Sequence, residues 1–129
     1  MNNIFWRWGL IFAGLAVVLG AFAAHGLKSV FPADSLSIFE TGVRYQFYHA
    51  FAILITALLI DRNTSNRLLT WAGRSFIWGI LLFSGSLYLL AAIKAGKLNL
   101  PESIGIVTPI GGLLFIAGWT IILVAALKK

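Results

Sequence analysis

The chain has 129 residues, of which 60% are hydrophobic and 11% charged, against about 25% charged in a soluble domain, so water is not its main solvent. The net charge of +6 comes from ten Lys and Arg scattered singly between apolar blocks; that scatter is not the basic stripe of a nucleic-acid binder, and anionic lipid headgroups are the expected counter-charge. With no cysteine, disulfides, thiolate metal sites and a cysteine nucleophile are excluded, and the redox compartment stays open.

About 20 apolar residues are needed to cross a bilayer. Taken in chain order, four stretches meet that length: about 4–24, 38–60, 75–94 and 103–127. The first ends in Ala21-Phe22-Ala23, which has the form of a signal cleavage site. A weakly basic start and three further spans favour an uncleaved helix instead. Ala16, Gly20 and Ala24 stand at four-residue spacing on it, a small-residue stripe that admits a neighbouring backbone.

The connection at 25–37 contains Phe31-Pro32, where helix cannot continue. Ser37 followed by Glu40 reads as a capping box, starting the second span near Ile38. "DRNTSNR" (61–67) is an aqueous loop, and "LLTWAGR" (68–74) a short interfacial turn with Trp71 at headgroup depth. The third and fourth spans carry no Asp, Glu, Lys, Arg or His over 75–93 and 103–127. Between them "AGKLNLPES" (95–103) restarts helix at Pro101. The expected fold is all-α, one four-span membrane domain over 1–129.

Four spans put both termini on one face. That face holds Arg7, Arg62, Arg67, Arg74, Lys128 and Lys129, against Lys28, Arg44, Lys94 and Lys97 on the other. The positive-inside rule then favours cytoplasmic termini in the plasma (inner) membrane.

Ionisable groups inside a span are costly, and they usually face protein or water. In the second span Glu40, Arg44 and Tyr48 form one stripe at 100° per residue, while Tyr45, His49 and Thr56 lie on the adjoining face. Glu40 can pair with Arg44 one turn on. Because spans alternate in direction, His25, Arg44, Tyr45, Gln46, Tyr48, His49, Ser86, Tyr88 and Thr108 all approach the same membrane face. This polar layer reads either as a hydrogen-bond network fixing helix registry or as a shallow site where Arg44 or a histidine holds an anionic headgroup or small ligand. Pro109 can bend the fourth span beside it, and Gly111-Gly112 allow close packing.

His25 and His49 on different helices are the minimum for a bis-histidine haem or metal, but lone histidines are more often satisfied by hydrogen bonds, and no metal or cofactor is expected. No carboxylate pair within a span, G-x-S-x-G, H-E-x-x-H or phosphate loop is present. The reading is therefore a non-catalytic accessory or structural membrane component acting through lipid or protein contacts, homo-oligomers included. The alternatives are a small transporter or channel component, or a lipid or quinone binder, using the polar layer.

Five motifs, "GAFAAHGLK" (20–28), "FETGVRYQFYHA" (39–50), "LLFSGSLYLL" (81–90), "TPIGG" (108–112) and "AGW" (117–119), resemble in order those of the small membrane-protein family called domain of unknown function 423, which includes YgdD-like and transmembrane protein 256-like proteins. The likeness covers nearly the whole chain and lies at Gly20, Ala21, Phe22, His25, Gly26, Tyr45, Gln46, His49, Ser84, Gly85, Ser86, Tyr88, Thr108, Pro109, Gly111 and Gly112. It implies a multi-pass protein, of the plasma membrane in bacteria, and no assigned activity. The family pattern often has glycine where this chain has Ala23. It also admits either charge at the position of Arg44, which turns attention to Tyr45, Gln46 and His49.

Overall fold

A computed structural model describes residues 1–128. Helix α1 is Ile4–Ala24, α2 Ala33–Arg62, α3 Arg67–Gly79, α4 Gly85–Lys94 and α5 Val107–Leu127. A π-helical turn, Ile80–Ser84, joins α3 to α4, and 3-10 turns lie at Leu27–Ser29 and Glu102–Ile106. Four stretches are long and apolar enough to cross a membrane, Ile4–Ser29, Ala33–Arg62, Arg67–Lys94 and Glu102–Leu127. The fold is all-α.

Two helix starts differ from the sequence expectation. The second span begins at Ala33, well before Ile38: Pro32 takes the cap position in an extended conformation (φ −57°, ψ 158°), with Asp34 in the first turn. Proline there loses no intrahelical bond, and an acid beside the N-terminal dipole is favourable, so Ser37 and Glu40 fall inside the helix. The third span begins at Arg67, so "LLTWAGR" is its first two turns and not a separate one: the Asn66 side chain accepts the Leu68 N–H at 3.0 Å and caps it. At about 1.5 Å per residue α2 is some 45 Å long against a hydrocarbon core of about 30 Å. The helix is thus about 15 Å longer than that core, an excess that tilt or projection into the headgroup region takes up.

Pro109 stands at the start of α5, directly after the 3-10 turn Glu102–Ile106. It is the third residue of that helix, where the missing N–H is one that no intrahelical acceptor would have taken. Between α4 and α5 the chain turns through Gly96 (φ 72°), with Gly96 N–H on Ile93 O (3.0 Å) and Lys97 N–H on Ala92 O (2.9 Å). This is a Schellman motif, whose left-handed residue is the one place here where glycine is needed for its φ.

Helix α2 lies centrally, with α1 on one side and the third span on the other; α5 packs on the third span. The core joins Phe5, Phe12, Ile53, Phe76, Ile80 and Phe115, and a smaller cluster of Ala23, Leu27, Phe39 and Ala91 lies toward the loop face. Phe76 fills the notch at Gly118 and Phe115 the notch at Gly79, while Gly111 rests on the backbone of Phe83. These reciprocal knobs set how closely α5 approaches. Large apolar side chains such as Leu15, Val18, Trp78, Leu113 and Leu123 are exposed, as a bundle whose outer solvent is lipid requires.

Candidate functional site: a closed polar layer

Gln46 is the hub of the layer. Its Nε2 donates to the Phe12 carbonyl of α1 at 2.9 Å, and its Oε1 accepts the Tyr88 hydroxyl of α4 at 2.7 Å. A carbonyl can only accept, so the amide orientation follows from the partners. One side chain thus ties three spans. Ser84, fully buried in the π turn, donates to the Gly42 carbonyl of α2 at 2.7 Å. Ser86 donates to Phe83 O at 2.9 Å and stands 2.6 Å from the Thr108 hydroxyl of α5. With its one proton spent on the carbonyl, Ser86 accepts from Thr108.

The π turn underlies part of this arrangement. Gly85 N–H reaches Ile80 O, five residues back, so one extra residue is accommodated and α4 is rotated relative to α3. Ser84 at the end of that turn bonds α2, and Ser86, two residues on and on the opposite face, stands against α5.

His49 stands deeper. Its Nδ1 is 2.8 Å from the Tyr45 carbonyl, and its Nε2 accepts the indole N–H of Trp119 at 3.1 Å. Those partners define a neutral imidazole with its proton on Nδ1. The ring stacks on Phe115 at a centroid distance of 3.6 Å. Both nitrogens are committed, so neither a lone pair for a metal nor a proton-accepting site faces open space. Among the described residues no buried side-chain nitrogen or oxygen lacks a partner, and no group of three or more His, Asp or Glu is placed to hold a metal.

The remaining layer residues lie elsewhere. His25 is exposed at the end of α1, its backbone N–H on Ala21 O. Arg44 is exposed and donates to Thr41 Oγ1 at 3.1 Å, and the pairing with Glu40 is not among the ion pairs formed. Tyr48 is exposed, and Tyr45 supplies its carbonyl to the layer while its ring packs on Phe83. The stripe of Glu40, Arg44 and Tyr48 faces outward, and the face bearing His49 and Thr56 faces in.

Sequence reasoning did not assign a role to Trp119, the Ser84–Gly42 bond or a second polar cluster at the opposite membrane face. There Asp61 accepts from Asn3 Nδ2 (2.7 Å) and Trp6 Nε1 (2.8 Å) and lies 3.3 Å from the Met1 amino group, fastening the start of α1 to the end of α2. An acidic residue in a helix's last turn, level with the start of the preceding span, was the available signal.

Residues 19–112 match the family described as "Protein of unknown function (DUF423)". The UPF0382 membrane protein YwdK of Bacillus subtilis is 44% identical over 120 residues, 93% of both chains. A UPF0382 membrane protein of Haemophilus influenzae is 47% identical over 103 residues, covering 80% of this chain and 77% of its own. The UPF0382 inner membrane protein YgdD of Escherichia coli is 39% identical over 126 residues, covering 95% of this chain and 91% of its own. No solved structure matches the chain. By the family match and by these relatives, this chain is a membrane protein belonging to the DUF423 family.

Proposed function

We propose that the protein is a non-catalytic structural or accessory component of the bacterial inner membrane, working through the lipid and protein contacts of its outer surface, with both termini in the cytoplasm. The observation carrying this reading is the closure of the polar layer: Gln46 pairs with Tyr88 and the Phe12 carbonyl, His49 with Trp119 and the Tyr45 carbonyl, Ser84 with the Gly42 carbonyl, and Ser86 with Thr108 and the Phe83 carbonyl. A catalytic or ion-conducting site needs a polar group directed at a substrate, and the paired groups of this layer are directed at protein. The name of the E. coli relative, an inner membrane protein, supports the location.

The test separates chemistry from packing. His49→Phe keeps a stacked ring against Phe115 and removes both ring nitrogens. In a strain lacking the gene, a folded His49→Phe protein is expected to compete in mixed culture as well as the wild-type chain. If it folds, inserts and yet competes no better than an empty vector, the imidazole is doing chemistry and the proposal fails.

A further inference from the structure

The outward stripe of α2 has a use that the closed interior does not supply. Where the end of α1 meets the start of α2, Gly20, Ala23, Ala24, Leu36 and Val43 line a depression of about 380 Å³ bordered by Lys28, Glu40 and Arg44. A second, almost wholly apolar depression of about 180 Å³ shares Val43 and Arg44 with it and continues along Ala16, Val17, Phe47 and Tyr48. Seven residues separate Glu40 from Phe47, so the furrow descends about 10 Å from its charged end toward the bilayer centre.

The charged end is available. Lys28, Glu40 and Arg44 are all exposed. The ion pairs among the described residues are formed elsewhere, between Met1 and Asp61 and between Lys94 and Glu102. Two cations and one carboxylate leave the rim with one net positive charge, at headgroup level, above an apolar trough. Small residues of α1 create the space: the nearest side-chain atom to a Cβ built on Gly20 is Val43 Cγ1, at 3.4 Å.

We infer that this furrow is a seat for one glycerophospholipid of net charge −1 with a hydroxyl-bearing headgroup, of the phosphatidylglycerol class. The phosphodiester lies between Lys28 and Arg44, where an anion is favoured. Headgroup hydroxyls donate to the Glu40 carboxylate, and an acyl chain runs down the trough past Val17 and Phe47. Net charge decides against a zwitterionic lipid, which would leave the rim's excess positive charge unmatched. The seat belongs to this chain's own Lys28 and Arg44, and it deepens the proposed non-catalytic role by naming a lipid contact.

The experiment offers phosphatidylglycerol, phosphatidylethanolamine and phosphatidylcholine of identical acyl chains to the detergent-purified protein and counts retained lipids by native mass spectrometry. One phosphatidylglycerol per chain is expected to dominate. Lys28→Ala/Arg44→Ala should weaken its retention about thirtyfold, as loss of two basic contacts to an anionic lipid predicts, and Ala24→Trp, which fills the furrow and keeps the charges, should weaken it too. Lys94→Ala/Lys97→Ala, an equal charge loss on the same face, should not. All these side chains are exposed, and circular dichroism checks that each variant is folded. Equal weakening by both double variants, retention of phosphatidylethanolamine as strong as that of phosphatidylglycerol, or no retained lipid would overturn the seat. None of those results touches the non-catalytic reading, which rests on the growth of the His49→Phe strain.

Discussion

At the scale of single residues, the bundle's specificity lies in groups that have no partner on their own helix. Gln46 is 4% exposed and bonded at both ends to other spans, so truncating either partner strands the other. Tyr88→Phe leaves Gln46 Oε1 buried and unpaired, a cost of about 1–3 kcal/mol where no other donor reaches it. Gln46→Leu leaves the Tyr88 hydroxyl in the same state. Changing both removes the mismatch along with the bond. The double variant is therefore expected to lose less stability than the sum of the singles, with a coupling near the ~0.6 kcal/mol mean and below the ~1.7 kcal/mol maximum known for such bonds in membrane bundles. Unfolding equilibria in mixed micelles measure it; strict additivity would mean that the 2.7 Å bond contributes nothing. The level of these residues was legible, because alternating span direction places Gln46, Ser86, Tyr88 and Thr108 at one depth without any tertiary information. Their orientation was not: a helical wheel gives angles between residues on one helix, and says nothing of where the neighbouring helix stands. Hence Arg44, Tyr48 and His25, level with the layer, face away from it. The Phe12 and Gly42 carbonyls that complete the network are backbone atoms and leave no mark in a sequence.

At the scale of elements, four spans could be read from apolar length alone, while their starts and the break in the third could not. Proline at 32 and asparagine at 66 act as caps through φ and a single side-chain acceptor, signals that compete in the sequence with the equally plausible Ser37–Glu40 box. The π turn is less visible still, since one surplus residue in an uninterrupted apolar run alters no composition. The Gly111-Gly112 pair was legible as close packing, and the structure divides the two. A Cβ on Gly111 would run into the backbone of Phe83, whereas one on Gly112 would meet Phe83 Cδ2 at 3.8 Å, an ordinary contact. Backbone cannot step aside as a flexible side chain can. Gly111→Ala should therefore cost about 1–3 kcal/mol by overpacking, and Gly112→Ala should be neutral or slightly stabilising through its better helix propensity. Thermal unfolding of the two variants side by side decides the matter, and equal midpoints would contradict the packing of α5 on the π turn.

At the scale of the whole molecule, antiparallel spans give the two membrane faces different equipment. One carries the Asp61 cluster and Arg7, Arg62, Arg67, Arg74 and Lys128; the other carries the loops at 25–32 and 95–101, the polar layer beneath them, and Lys28, Arg44, Lys94 and Lys97. Basic residues near span ends resist translocation, so the richer face is expected in the cytoplasm and the phospholipid seat in the outer leaflet of the same membrane. The absence of any cysteine makes this directly measurable, because every thiol is one that has been introduced. Ser29→Cys and Asn99→Cys occupy the two loops of one face, and Ser65→Cys the loop of the other. In intact cells an impermeant maleimide is expected to modify Cys at 29 and at 99 to the same extent, and to reach Cys at 65 only after the membrane is opened. Reversed labelling would invert the topology and move the seat to the inner leaflet while leaving the bundle as it is. Labelling of 29 without 99 would break the antiparallel arrangement itself, because the Phe39–Tyr88 ring contact and the Ser86–Thr108 bond require the start of α2, the end of the third span and the start of α5 to lie at one face.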